Sequence, residues 1–136
     1  HDHLIKNIAI QSLKKYPSIS IYGNDYKTKD GTCIRDYIHV SDLADIHIET
    51  LKYINVKSKS LTLNCGYGKG YSVLDIVKIL KKINKKLVIN YQPKRGGDIA
   101  QVYANTKKFQ KILKWTPKYN NINKIIKSAI KWELSC

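Results

Sequence analysis

The chain has 136 residues, 43% of them hydrophobic and 26% charged, and a formal net charge of +15. These proportions suit one globular domain over residues 1–136 and exclude a wholly disordered chain. No apolar run approaches the roughly 18 residues of a membrane helix, and Lys6, Asn7, Gln11, Lys14 and Lys15 interrupt the N-terminal stretch where a signal peptide would be apolar. The sequence begins at His1 and contains no Met, so it is expected to be part of a longer parent.

In chain order, Leu4–Tyr16 reads as a helix with Leu4, Ile5, Ile8, Ala9 and Leu13 on one side, ended by Pro17. Ser18–Tyr22 alternates Ile19 and Ile21 with polar neighbours and reads as a strand. Gly23–Thr32 has loop composition, and Ile34–Val40 is extended. Ser41 is the expected N-cap of a helix over Asp42–Val56, with Leu43, Ile46, Leu51 and Ile54 at helical spacing. Ser60–Cys65 reads as a short strand and Gly66–Gly70 as a turn. Ser72 and Asp75 form a capping signature for the amphipathic helix Val73–Ile83. Leu87–Tyr91 is a strand, Gln92–Ala100 a loop and Val102–Ala104 a short strand. Thr106–Leu113 and Ile122–Leu134 are helices, with Trp115 and Trp132 expected as core anchors. Strands alternating with helices indicate an α/β fold with parallel pairing.

Charge is unevenly placed. Residues 1–45 hold six basic and six acidic side chains, so residues 46–136 carry the whole excess. Of the 25 basic residues, only Arg35 and Arg95 are Arg. Specific nucleic-acid readout leans on Arg forks and interleaved aromatics, so a solvated lysine face is preferred over a nucleic-acid surface. Both Arg lie beside loop signals, where a planar fork could hold a phosphate with two parallel bonds. On spacing alone, two ordinary surface or ion-paired Arg fit equally well. Cys33, Cys65 and Cys136 have neither zinc nor disulfide spacing, which fits a reducing cytoplasm. The four His include no metal-ligand pair.

The run Gly66-x-Gly68-x-Gly70 between a strand and a helix imitates a nucleotide loop. A dinucleotide fingerprint would need Gly at position 71, which is Tyr71, and no acidic residue closes the next strand. The reading adopted is a tight turn.

The motifs that carry function are Tyr22-Gly-Asn-Asp-Tyr26 followed by Asp30-Gly-Thr-Cys-Ile-Arg-Asp-Tyr-Ile-His-Val40, then Asn64-Cys-Gly-Tyr-Gly-Lys-Gly70, then Pro93-Lys-Arg-Gly-Gly-Asp98. In order, and across nearly the whole chain, they resemble the C-terminal part of the UDP-glucose 4-epimerase family, within the extended short-chain dehydrogenase/reductases. The resemblance implies the substrate-binding part of an extended Rossmann-type α/β epimerase without its N-terminal NAD-binding half. It implies that Arg35 and Arg95 contact the UDP diphosphate, that Asp98 meets the ribose hydroxyls, and that Ser20–Tyr22 hold the uracil. Leu4, beside His3, falls near the diphosphate, although His3 departs from the family's usual Asn. Val102 falls where a bulky Tyr restricts the family's sugar pocket, so N-acetylated sugars are expected to fit.

In that family NAD transiently oxidises the sugar, interconverting UDP-glucose and UDP-galactose, with a Tyr and a Lys four residues later as the base. This chain has no dinucleotide motif. Tyr53 and Lys57, a Tyr–Lys pair at that spacing, lie in the wrong part of the pattern. The chain alone is therefore expected to be inactive and to serve a cytoplasmic enzyme, a homodimer in the intact family. The alternatives are a non-catalytic remnant or basic binding module, and a related nucleotide-sugar epimerase or dehydratase. His39 is expected to pack, and Asp36, Asp42 and Asp45 to cap or pair. Apolar faces on the first two helices are expected to stand exposed.

Overall fold

The computed structural model describes residues 3–136. In order, the elements are α1 (Leu4–Ser12), β1 (Ser18–Tyr22), β2 (Ile34–Asp36), α2 (Val40–Lys57), β3 (Gly70–Ser72), α3 (Val73–Ile83), β4 (Val88–Gln92), β5 (Gln101–Val102), α4 (Lys107–Leu113) and α5 (Ile122–Ser135). β1 and β4 form a parallel pair, with Ser20 opposite Asn90. β2 is central to a second sheet, antiparallel to β3 and parallel to β5.

The core lies where α1, α3 and α5 cover the β1–β4 pair. Ile8, Ile19, Ile21, Ile76, Val77, Leu80, Ile122 and Ile126 are buried together there. Each such side chain contributes about 1.5–3 kcal/mol by leaving water. The capping box of α3 is complete: Asp75 N–H donates to Ser72 Oγ at 3.0 Å, and Ser72 N–H donates to Asp75 Oδ2 at 3.2 Å.

Local patterning predicts most elements, and the departures have physical causes. α1 stops at Ser12, and residues 13–16 form a turn and bend before Pro17; its last turn tightens through Leu13 N–H to Ile10 O at 3.3 Å. The N-cap of α2 is His39, not Ser41. Its Nδ1 accepts from Ser41 N–H at 3.1 Å, while its ring stacks on Tyr119 at 4.4 Å. Only Ile34–Asp36 of the expected extended run pairs. β3 was not expected, and it makes the second sheet mixed, since its pairing is set by β2 rather than by its own glycine-rich sequence. Val102–Ala104 shifts to Gln101–Val102.

Residues 60–65 form no strand. Leu61, Leu63 and Cys65 are half-buried in the alternation of a strand and line one cavity with Ile46, Leu51 and Ile54, but no neighbouring edge pairs with them. Trp132 is 67% exposed rather than a core anchor, because the buried positions of α5 end at Ile126. Trp115 does pack, against Phe109. Leu13, Leu51 and Ile83 are exposed, as are Val40, Ile48 and Val56 on α2. Among the described residues no helix is long and apolar enough to cross a membrane.

Asp42 ties the outer elements together. Its carboxylate is fully buried and accepts from Tyr67 Oη at 2.6 Å, Tyr119 N–H at 2.9 Å and Lys118 N–H at 3.1 Å. Burial, reinforced by this acceptor, pushes the Tyr67 phenol well up. Asp42→Ala leaves those donors without an acceptor and is expected to cost about 3–5 kcal/mol, read as a lower urea midpoint.

Candidate functional site

Leu4, Ser20, Tyr22, Arg35, Arg95 and Asp98 line one cleft of about 620 Å³. The N-terminus of α1 forms one wall, β1 the floor and the β4–β5 loop the outer rim. β2 supplies Arg35 from between its two neighbours, where it is opposite Tyr71 and Val102.

Arg35 is oriented by main chain. Its Nη1 donates to Ile99 O at 2.7 Å and Ile34 O at 2.8 Å, leaving Nη2 at 4.0 Å from Asp98 Oδ1. Arg95 Nε stands 4.0 Å from the other Asp98 oxygen, and its guanidinium lies over the Tyr22 ring at 4.0 Å. Asp98 thus sits between the two cations at ion-pair rather than hydrogen-bond distance. Two guanidinium groups in one cleft suit an anionic ligand.

Val102 stands apart. It lines a neighbouring pocket of about 500 Å³ with Asn64, Cys65, Tyr103 and Asn105. Arg35 borders both cavities and is the wall between them.

Sequence reasoning missed Asn7 and Gln11, which also line the cleft. The signal was available, because Leu4, Asn7 and Gln11 share one helical face. Tyr37 lines the cleft as well; burial pushes its phenol up to about 12, with Arg35 pulling the other way, so it is a neutral donor at ordinary pH. Tyr53 and Lys57 lie on α2 and line neither cavity.

The segment between β1 and β2 is held by side chains. Gly31 has φ +79°, and a Cβ there would stand 2.0 Å from Asn24 O, so only glycine fits. Asp30 accepts from Thr32 N–H at 3.0 Å, Thr32 Oγ1 at 2.8 Å and Ser72 Oγ at 2.5 Å. Thr32 Oγ1 in turn accepts from Leu74 N–H at 3.1 Å, satisfying a donor in the first turn of α3.

The Gly66–Gly70 run is not a phosphate cradle. Its Tyr67 and Gly68 N–H groups donate to the Asp36 carboxylate at 3.2 and 2.9 Å. Ala104 N–H reaches the same carboxylate at 3.3 Å. The residues of this loop therefore do not fit a dinucleotide. Among the described residues no cluster of His, Cys, Asp and Glu could hold a metal ion.

The family model described as GDP-mannose 4,6 dehydratase matches residues 2–128. The chain belongs to that family. It is 42% identical to the UDP-glucose 4-epimerase of Azospirillum brasilense over 98% of its own length and 38% of that protein's. The UDP-Glc/GlcNAc 4-epimerase structure from Campylobacter jejuni superposes with a TM-score of 0.86 at 38% identity, covering 98% of this chain and 40% of that one. The Stenotrophomonas maltophila UDP-glucose-4-epimerase, solved with NAD and formylated UDP-arabinopyranose, gives 0.90 at 31% identity over 99% of this chain and 40% of that one. The chain thus spans about 40% of the length of the proteins it matches, their C-terminal part. NAD belongs to the intact family.

The Asp30 linkage has a pH signature. Burial raises its carboxyl, but hydrogen bonds from Ser72 and Thr32, and nearby Lys78, outweigh that and hold it below the usual range. A depressed carboxyl stabilises the fold above its unfolded value of about 3.9, and that stability is lost as pH falls through the folded value. Urea midpoints of the parent chain should fall below about pH 4, and those of Asp30→Asn should fall less steeply over the same window.

Proposed function

We propose that the chain is the UDP-sugar-binding part of a UDP-glucose 4-epimerase. The observation that carries this reading is the convergence of its two Arg, far apart in sequence, on one cleft with Asp98 between them and Tyr22 beneath. A UDP-sugar has a doubly charged diphosphate, a ribose diol and a flat base. Arg35 and Arg95 neutralise the diphosphate, each charge-assisted bond worth about 1.5–3 kcal/mol. Asp98 accepts from the ribose hydroxyls. Ser20 and Tyr22 on β1 hold the uracil, and Leu4 at the start of α1 closes the diphosphate end. The sugar extends past Arg35 toward Val102.

NAD supplies the redox step at the sugar in the intact family, and none of the residues described above fits it. The contribution of this chain is therefore binding and orientation, and alone it does not epimerise. The unpaired alternation over residues 60–65 and the exposed apolar side of α2 support a role as one part of a larger protein, with those surfaces covered by the remainder.

Titration calorimetry with UDP tests the reading. The chain is expected to bind UDP, and Arg35→Ala or Arg95→Ala to weaken binding by about tenfold or more. Absence of UDP binding, or binding indifferent to both variants, overturns it, as does salt-steep binding to any DNA in place of UDP. In the intact parent, Val102 leaves room for an N-acetyl group. The parent is expected to turn over UDP-N-acetylglucosamine, and Val102→Tyr to reduce that turnover relative to UDP-glucose in a coupled assay.

A further inference from the structure

The loop between β4 and β5 carries Arg95 and Asp98, yet little of its own backbone holds it. At its base Gly23 N–H donates to Gln92 O at 2.9 Å, and at its far end Ile34 N–H donates to Ala100 O at 2.8 Å. Between these ties lie Gly96 and Gly97, where an added Cβ would meet nothing within 4 Å, one turn bond from Asp98 N–H to Arg95 O at 3.3 Å, and the Ile99 carbonyl that accepts from Arg35 Nη1 at 2.7 Å. The two open glycines put no steric limit on the backbone between the Lys94 side of the loop and the side that Arg35 holds.

Lys94 opposes that freedom. Its Nζ is 3.0 Å from Asp25 Oδ2, donates to Asp25 O at 3.2 Å and stands 4.7 Å from the centre of the Tyr26 ring. Its stem crosses Gly23, where a Cβ would lie 2.7 Å from Lys94 Cγ and 2.4 Å from the Tyr26 ring. All four contacts are to the segment between β1 and β2, and Lys94 does not line the cleft. A single exposed ion pair is worth little. One ammonium shared by a carboxylate, a carbonyl and an aromatic face is fixed more firmly.

We propose that Lys94 is a positioning residue that pins the β4–β5 loop to Asp25 and Tyr26, holding Arg95 and Asp98 at the cleft before ligand arrives. The consequence for affinity rests on the proposed function; the pinning itself does not. Loss of the pin leaves encounter with the ligand unchanged and shortens its residence, because the loop's conformational freedom must then be lost on binding.

The chain's two Arg make the pinning measurable without ligand, since an arginine-specific protease has only Arg35 and Arg95 to cut after. Arg35 lies in β2 and reports opening of the sheet. Lys94→Ala is expected to speed cleavage after Arg95 about fivefold while cleavage after Arg35 is unchanged. Asp25→Asn, which adds no cleavage site, is expected to reproduce most of the effect; Lys94→Arg adds a site of its own, so its rescue is read instead as a return of slow UDP dissociation. In stopped-flow measurements with UDP, Lys94→Ala is expected to raise the dissociation rate about fivefold with association nearly constant. Unchanged cleavage after Arg95 overturns the pinning, and so does equal acceleration at both sites. Selective cleavage in a chain that does not bind UDP supports the pin and overturns the functional reading instead.

Discussion

The Asp36 carboxylate is the point on which the rest of the molecule turns. It gathers the N–H groups of Tyr67, Gly68 and Ala104, and so joins β2 to the glycine turn and to the exit of β5. β2 is only three residues long, too short for its ladder to fix a side chain alone. With Asp36 anchored on one side, the neighbouring Arg35 is aimed to the other, toward the cleft. The same solution recurs nearby. Asp42 joins α2 to Tyr67 and to the segment before α5, and Asp30 joins the β1–β2 segment to the cap of α3. A chain with only ten acidic residues among 25 basic ones commits several of them to staples between segments that share little regular structure.

The distribution of charge follows from that commitment. Asp30, Asp36 and Asp42 spend their oxygens on main-chain and hydroxyl donors rather than on lysine ammonium groups. In the cleft, Arg35 and Arg95 both stand at ion-pair rather than hydrogen-bond distance from Asp98. Arg35 can keep its main-chain bonds while an incoming anion takes the place beside Asp98. Arg95, laid on the Tyr22 ring, shares a surface that a flat base would also use.

How much of this could be read from residues alone depended on whether the information was local. Helix α3 was fully predictable, because its apolar stripe and its capping box lie within its own sequence. β1 was predictable from simple alternation. Arg35, Arg95 and Asp98 were singled out by being rare or loop-bound, and the resemblance brought them together; the cleft gives that grouping a geometry. What local pattern could not supply was pairing. β3 exists because β2 offers it an edge, whereas Ser60–Cys65, the better strand by pattern, has no edge to join. His39 displaced Ser41 as a cap because stacking on distant Tyr119 fixed its ring. Val102 was assigned to the same ligand as the other site residues, and only the fold reveals that it faces a second chamber beyond Arg35.

That unpaired run has a colloidal meaning. A stretch with strand alternation and no paired strand, held at Thr62 O by Lys108 Nζ at 2.9 Å, is a template for any other chain that presents the same edge. Here Lys57 and Lys59 precede it and Lys69 follows, so like charge keeps two copies from aligning. Such repulsion reaches only about 8–10 Å at ordinary salt and about 3 Å at 1 M. The surplus of lysine, uninformative about any partner, thus guards this edge wherever the remainder of a larger protein does not cover it, and concentrated salt removes that guard.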